Sequence, residues 1–207
     1  MKYVASGWQF TVYDLENGRV RKTYNTWLRA YTVMWKDAIR HIRPPVIFFT
    51  RIYEEGKAIA AQSLKVITES GLEQWMFGNP TVISTYAYEQ DYAESLSHAL
   101  EKAATQDGKQ LIDKAIAFVV LLYSHSLIEK NFNVADNFGI DKSGNIILID
   151  LGEVCFEAPE IATQISKRVW AAPDVLSRFP VELREYFLTS MNSALLSATI
   201  SSAIALQ

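Results

Sequence analysis

The chain has very little cysteine: one residue, Cys155, among 207. A single thiol cannot form a disulfide within the chain, and Cys155 has no neighbouring ligands for a zinc site. Positive charge is also not in excess, because the formal net charge is −3 and the basic residues are scattered. The chain therefore has no general attraction for nucleic acid, and we find no nucleic-acid-binding motif.

Long apolar runs are absent as well. The most apolar stretch, 115–123, is far shorter than the roughly twenty apolar residues that a membrane-spanning helix needs. The N-terminal residues 1–7 turn polar too soon for a signal peptide. With 49% hydrophobic and 21% charged residues, the composition is sufficient for a packed core. We expect a compact cytoplasmic protein without a membrane partner.

The most informative stretch runs from Asn137 to Asp150. Residues 138–141 and 145–150 have the pattern of two short strands, joined by a turn at Lys142-Ser143-Gly144. A hairpin brings its two ends together, so an amide oxygen from Asn137 and a carboxylate from Asp150 should lie close to each other. These are the hard oxygen ligands that Mg²⁺ prefers, and the pattern predicts a metal site.

A simpler interpretation of the same stretch stays open. Asp136-Asn137 and Lys142-Ser143-Gly144 are also ordinary turn residues, and Asp150 can end a strand by capping the next segment of the chain. In that case the chain is an interaction protein that binds no nucleotide.

A second hairpin is predicted near the start of the chain. Residues 5–15 alternate like a strand, Glu16-Asn17-Gly18 forms a turn, and residues 19–24 return as a basic strand that contains Lys22. Lys22 is either a functional ammonium group or a solvated lysine on an ordinary surface hairpin.

The thirteen-residue separation of Asn137 and Asp150, 150 minus 137, resembles a spacing in protein kinases and aminoglycoside phosphotransferases. There it separates the catalytic-loop Asn from the Asp of the D-F-G motif, and Leu151 here replaces the Phe. The resemblance implies ATP and Mg²⁺ as cofactors, with Asn137 and Asp150 as metal ligands.

The first hairpin is similar to the glycine-rich loop and third strand of the same superfamily. Val12 matches the valine that closes the pattern G-x-G-x-x-G-x-V, and Gly7 then falls on the middle glycine. The outer two glycines are replaced by Ala5 and Phe10. The resemblance implies that Gly7 and Val12 help to cover the nucleotide, and that Lys22 pairs with its phosphates.

Residues 82–96 resemble the kinase hinge, because an apolar strand is followed by an acidic turn and a helix. In the family, backbone groups of this segment hold the edge of the adenine, and here they would be the peptide units near Glu89 to Asp91. An exposed connection between a strand and a helix explains the same pattern.

The catalytic loop departs from the family. Kinases place an Asp five residues before the metal-binding Asn, but position 132 is Phe. The residues that could stand in as the catalytic base are Asp136, Asn131, Asn133 and Glu129, and Asp136 is the only carboxylate within the predicted loop. Nucleotide binding does not need this base, so two functions stay open: phosphoryl transfer to an unidentified small-molecule or protein acceptor, or a pseudokinase that acts as a nucleotide sensor or interaction module.

The implied fold is α+β and bilobal. Residues 1–90 would form an N-lobe with a small antiparallel sheet and an extra helix at about 26–43, and residues 91–207 a reduced helical C-lobe with the nucleotide in the cleft. The apolar stretch predicts a central helix over 111–130, and 51–70 has the pattern of a further helix.

Overall fold

The computed structural model describes residues 1–38 and 46–205. It confirms the α+β class, with an antiparallel five-stranded sheet and extensive helix. Contacts divide the chain into two compact units. The first comprises Met1–Tyr92 and Leu151–Glu153; the second comprises Ala93–Asp150 and the chain from Val154 onward.

The first unit is a twisted sheet with two helices. Its elements are, in chain order, β1 (Lys2–Ser6), β2 (Phe10–Asp14), β3 (Arg19–Tyr24), α1 (Trp27–Ala38), α2 (Val46–Glu69), a 3₁₀ turn (Gln74–Phe77), β4 (Thr81–Ser84) and β5 (Ala87–Asp91). The strand order is β1-β2-β3-β5-β4, and each neighbouring pair is antiparallel.

The single strand predicted over residues 5–15 is wrong, because the chain turns at Gly7-Trp8-Gln9 and forms two strands, β1 and β2. The Gly7 backbone N–H donates to the Phe10 carbonyl at 3.0 Å, which closes the turn. The sequence pattern does not reveal this turn, because the turn residues alternate in polarity just as strand residues do. Lys22 consequently lies on the third strand of the sheet.

Aromatic residues form the centre of the first unit. The ring of Phe10 meets the rings of Tyr24 and Tyr88 edge-on, at centroid distances of 5.2 and 5.6 Å. On the helices, Trp27 stacks on Tyr31 at 5.0 Å, and both contact Phe49. The four-residue spacing of aromatic residues on α1 therefore marks packing. Residues 39–43 of the predicted extra helix, and the side chain of Trp35, lie outside the described part of the chain.

The second unit combines short strands with longer helices. Its elements are β6 (Glu94–Ser95), α3 (Leu96–Lys102), α4 (Thr105–Ser124), β7 (Leu127–Glu129), α5 (Val134–Asn137), β8 (Phe138–Ile140), β9 (Ile146–Leu148), β10 (Val154–Phe156), α6 (Ala158–Lys167), a 3₁₀ turn (Val169–Ala171), α7 (Pro173–Leu176) and α8 (Val181–Ala205). Strands β6, β8 and β9 form one antiparallel sheet, and β10 pairs with β7. No helix in the described ranges is long and apolar enough to span a membrane.

The central helix does not run over 111–130 as predicted. It begins at Thr105 and ends at Ser124, and Leu127–Glu129 forms strand β7. Ser126 adopts a positive φ of 58°, a left-handed conformation that cannot continue a right-handed helix. Apolar character alone does not distinguish a buried helix from a buried strand, so the sequence pattern continued through this break.

The predicted hairpin is present, with shorter strands β8 and β9. Its turn is organised by Asp141, whose Oδ1 accepts the backbone N–H groups of Ser143 at 2.8 Å and Asn145 at 2.9 Å. Gly144 supplies the positive φ of 81° that the turn requires. Burial raises the pKa of Asp141, but hydrogen bonds from Asn145, Ser143 and Gly144 outweigh it, so the pKa is lowered overall.

Candidate metal and phosphate site

Asn137 and Asp150 are neighbours at the open end of this hairpin. The backbone carbonyl of Asn137 accepts the Ile149 N–H at 2.8 Å and the Asp150 N–H at 3.3 Å. Both side chains are half-buried. The structure thus brings together the two residues that the sequence singled out as metal ligands, and it does so through a direct backbone contact.

Asn137 is itself held by the loop that precedes it. Its backbone N–H donates to the Asn133 carbonyl at 2.8 Å, within the single helical turn α5. The Asn133 N–H in turn donates to Glu129 Oε2 at 2.7 Å, and the Asn131 N–H donates to Glu129 Oε1 at 3.0 Å. One buried carboxylate, 7% exposed, therefore fixes the loop that ends at Asn137.

The sequence identifies Glu129 only as a possible stand-in for the catalytic base, whereas its contacts in the structure hold the loop. Glu129 ends the apolar strand β7 and precedes a polar loop. The sequence pattern predicts a helix at this position, so it does not indicate the contacts that Glu129 makes. Its backbone carbonyl accepts Nε2 of the buried Gln164 at 3.1 Å, and Gln164 Oε1 accepts the Tyr123 hydroxyl at 2.7 Å. Burial raises the pKa of Tyr123, and the charge of Glu129 raises it further, so the phenol remains a donor.

The candidate base Asp136 is already engaged. Its Oδ2 accepts Nη1 of Arg178 at 2.8 Å and Nδ2 of Asn133 at 3.2 Å. Phe132, at the position of the missing Asp, is 4% exposed, has a positive φ of 47° and packs near Trp170 at a ring distance of 6.3 Å. The position of the missing Asp is therefore filled by a buried aromatic side chain.

Lys22 lies in the middle of β3, opposite Val12 on β2 and Tyr88 on β5. Its side chain is only 9% exposed. The interpretation of Lys22 as a solvated surface lysine is therefore wrong. Burying an ammonium group costs free energy unless the group has anionic or polar partners. Both functional and structural lysines can be buried in this way.

The turn that contains Gly7 is held from two sides. Asn25 Nδ2 donates to the carbonyls of Gly7 at 2.8 Å and Trp8 at 3.1 Å, and the buried Gln9 donates from Nε2 to Glu153 Oε1 at 3.0 Å. A Cβ atom added at Gly7 would meet nothing within 4 Å. Local packing therefore does not require glycine at this position.

The side chain and backbone near Glu89 take part in the sheet. Glu89 Oε1 accepts Nη2 of Arg21 at 2.6 Å and Nε at 3.0 Å. Further along, the N–H of Asp91 donates to the Gly78 carbonyl at 2.7 Å, and that of Tyr92 to the Gly18 carbonyl at 2.9 Å. These two N–H groups already have partners, so an adenine edge would have to use other backbone groups of the segment.

In the ranges 1–38 and 46–205, no group of three or more His, Cys, Asp or Glu residues is arranged to hold a metal ion. The Asn137–Asp150 pair is a different kind of site. Mg²⁺ is commonly held by one or two protein oxygens, with phosphate oxygens and water completing its shell. The two residues fit a metal that arrives with a phosphorylated ligand.

Comparisons with known proteins assign no family. No protein-family model matches the chain, and no curated protein sequence matches it. Among solved structures, the chain is similar to Rv3197 from Mycobacterium tuberculosis, determined in complex with erythromycin, with a TM-score of 0.48 and 14% identity. The match covers 86% of this chain and 52% of that one, so the chain spans about half the length of Rv3197.

Proposed function

We propose that the chain is a small kinase-like protein that binds ATP with Mg²⁺ and transfers a phosphoryl group to an unidentified small-molecule or protein acceptor. The observation that carries the proposal is the backbone contact between the Asn137 carbonyl and the Asp150 N–H, which makes a residue with an amide side chain and a residue with a carboxylate side chain neighbours in the fold. The single cysteine fits action in a reducing compartment, and we infer a cytoplasmic location.

Each residue has a defined role in this proposal. Asn137 and Asp150 would supply oxygen ligands, and the buried Lys22 would hold a phosphate oxygen. Gly7 would let the backbone of its turn approach the phosphates, with Val12 beneath the nucleotide and the chain near Glu89 beside the adenine. Bound Mg²⁺ would neutralise charge on the phosphates.

A second function, that of a pseudokinase sensing nucleotide without transferring phosphate, is favoured by one observation. The base position is occupied by the buried Phe132, and the nearby Asp136 carboxylate is tied to Arg178 and Asn133. A positioned base contributes roughly 10²- to 10⁴-fold to such a reaction, so its loss slows transfer without preventing binding.

Thermal unfolding with and without millimolar ATP and Mg²⁺ tests nucleotide binding. The melting temperature should rise, because a ligand at 100 times its dissociation constant stabilises the folded state by about 2.7 kcal/mol. Asp150→Asn, which keeps the side-chain size, should abolish the Mg²⁺-dependent part of the shift. Asp107→Asn, an exposed position in the first turn of α4, is the matched control and should keep it. No shift in the wild type would contradict both functions.

Release of ADP then separates the enzyme from the sensor. Slow ADP release that requires an added acceptor and is lost in Asp150→Asn identifies a phosphotransferase, because release without an acceptor is transfer to water. Retention of that turnover in Asp136→Ala places the base elsewhere. Saturable binding without ADP release, over hours and with a range of acceptors, identifies the sensor.

A further inference from the structure

The first unit carries a concave region on the face of its sheet opposite the Lys22 side chain. It is a groove of about 370 Å³ on one face of the sheet, which we call the Arg29 groove. Its floor is formed by two cross-strand pairs of β2 and β3, and its rim by the start of α1. The residues that matter for its chemistry are Thr11, Tyr13, Arg21, Thr23, Thr26 and Arg29.

Strand register separates this groove from the Lys22 side chain. Thr11 pairs with Thr23 and Tyr13 with Arg21, so all four side chains stand on the same face of the sheet. Lys22 alternates to the opposite face. The groove therefore uses none of the residues assigned above to nucleotide or metal.

The groove has a positive electrostatic character. Two guanidinium groups line it, and none of the described residues in its lining carries a carboxylate. Arg21 is held by Glu89, which bonds Nε and Nη2. Arg29 has no carboxylate partner in the part of the chain that the structure describes, and its closest polar contact is a long one from Nε to Ser6 Oγ, at 3.4 Å. No carboxylate among the described residues therefore offsets its charge through an ion pair.

Arg29 is also oriented. Its guanidinium lies 5.7 Å from the ring centroid of Tyr3, an arrangement that restrains the planar group and leaves its terminal N–H groups for a ligand. Threonine hydroxyl groups line the same groove: Thr23 is exposed on the floor, and Thr26 lies immediately before α1. Guanidinium and hydroxyl donors together match the several acceptor oxygens of a phosphate group.

We propose that the Arg29 groove binds a small molecule that carries a phosphate group. The volume lies at the lower end of the range for small-molecule sites, which is about 300–1,000 Å³. The floor is connected to the Gly7 turn, because the Thr11 hydroxyl donates to Asn25 Oδ1 at 2.5 Å and Asn25 holds that turn. The proposal does not depend on the metal site.

The proposed phosphate site is tested by calorimetric titration with inorganic phosphate, without Mg²⁺ and at constant ionic strength. Wild-type protein should bind phosphate saturably, and Arg29→Ala should weaken binding at least tenfold. Arg29 is an exposed helical position and alanine favours helix, so this variant should fold. Thr23→Val should weaken binding about threefold. Arg51→Ala removes the same charge from exposed α2 and should bind like the wild type.

Asp150→Asn separates this proposal from the proposed function. Phosphate binding that survives Asp150→Asn and is lost in Arg29→Ala supports the groove, whatever the outcome with ATP. Heats that never saturate, or affinities that are equal in Arg29→Ala and Arg51→Ala, would overturn it. Loss of phosphate binding in Asp150→Asn alone would place the anion at the metal pair and would also overturn it.

Discussion

The Glu129 carboxylate accepts the backbone N–H of Asn133 at 2.7 Å, and this contact leads through Asn133 and Asn137 to the neighbourhood of Asp150. Glutamine at position 129 keeps the size of the side chain but has one acceptor oxygen, so one partly buried loop N–H loses its partner. Glu129→Gln should lower the free energy of unfolding by roughly 1–3 kcal/mol in urea titrations.

The control for that variant is Glu185→Gln, an exposed position on α8, which should change stability by less than about 0.5 kcal/mol. Equal stabilities of the two variants would show that the Glu129 contacts do not hold the loop.

Gly139 should tolerate no side chain. A Cβ atom there would lie 2.7 Å from Ile149 Cγ2, 2.9 Å from the Cβ of Ala93 and 3.0 Å from the Glu94 carbonyl. Because backbone is among the atoms that would have to move, Gly139→Ala should destabilise the protein by about 1–3 kcal/mol. A denaturation midpoint equal to that of the wild type would contradict the packing described for strand β8.

Gly7→Ala should separate function from stability. The added methyl group meets no protein atom within 4 Å, so the melting temperature without ligand should stay within about 2 °C of the wild type. If the Gly7 turn approaches nucleotide phosphates, the thermal shift with ATP and Mg²⁺ should shrink. An unchanged shift would remove Gly7 from the binding role while leaving Asn137 and Asp150 in theirs.

Asp141 should make stability depend on pH in the acid range. Its pKa in the folded protein is lower than the ordinary value of 3.8, so its contribution is present above that value and is lost as the pH falls through the folded-state pKa. Urea midpoints between pH 5 and pH 2 should therefore fall less steeply in Asp141→Asn than in the wild type. Ser143→Ala, in the same turn, retains the carboxylate and should retain the wild-type slope.

Local patterns predicted much of this structure. The hairpin around Gly144 and the turn at Gly18 are specified by neighbouring residues, and α1 and α2 by helical periodicity. Errors occurred where a short break interrupts a longer pattern, as at Gly7 and Ser126. The turn at Gly7 is held by a tertiary contact with Asn25. The break at Ser126 depends on a left-handed backbone conformation, which the local sequence does not specify for a serine.

The candidate sites show the same limit. Asn137 and Asp150 were identified because the hairpin between them is recognisable from the local sequence, and a hairpin brings its two ends together. The role of Glu129 in holding the loop and the role of Arg29 were not predicted, because both depend on partners elsewhere in the fold: Gln164 is distant in sequence from Glu129, and the floor beneath Arg29 is formed by β2 and β3. A lone Glu or Arg in a sequence gives no indication of such partners.

Strand β4 is at the margin of the five-stranded sheet, and its four residues include no charge. Val82 and Ile83 are 47% and 49% exposed, and unpaired strand edges of this kind invite pairing with another chain. Concentrated solutions of the protein are therefore expected to aggregate first through β4, and a lysine introduced at Ile83 should raise the concentration at which turbidity begins.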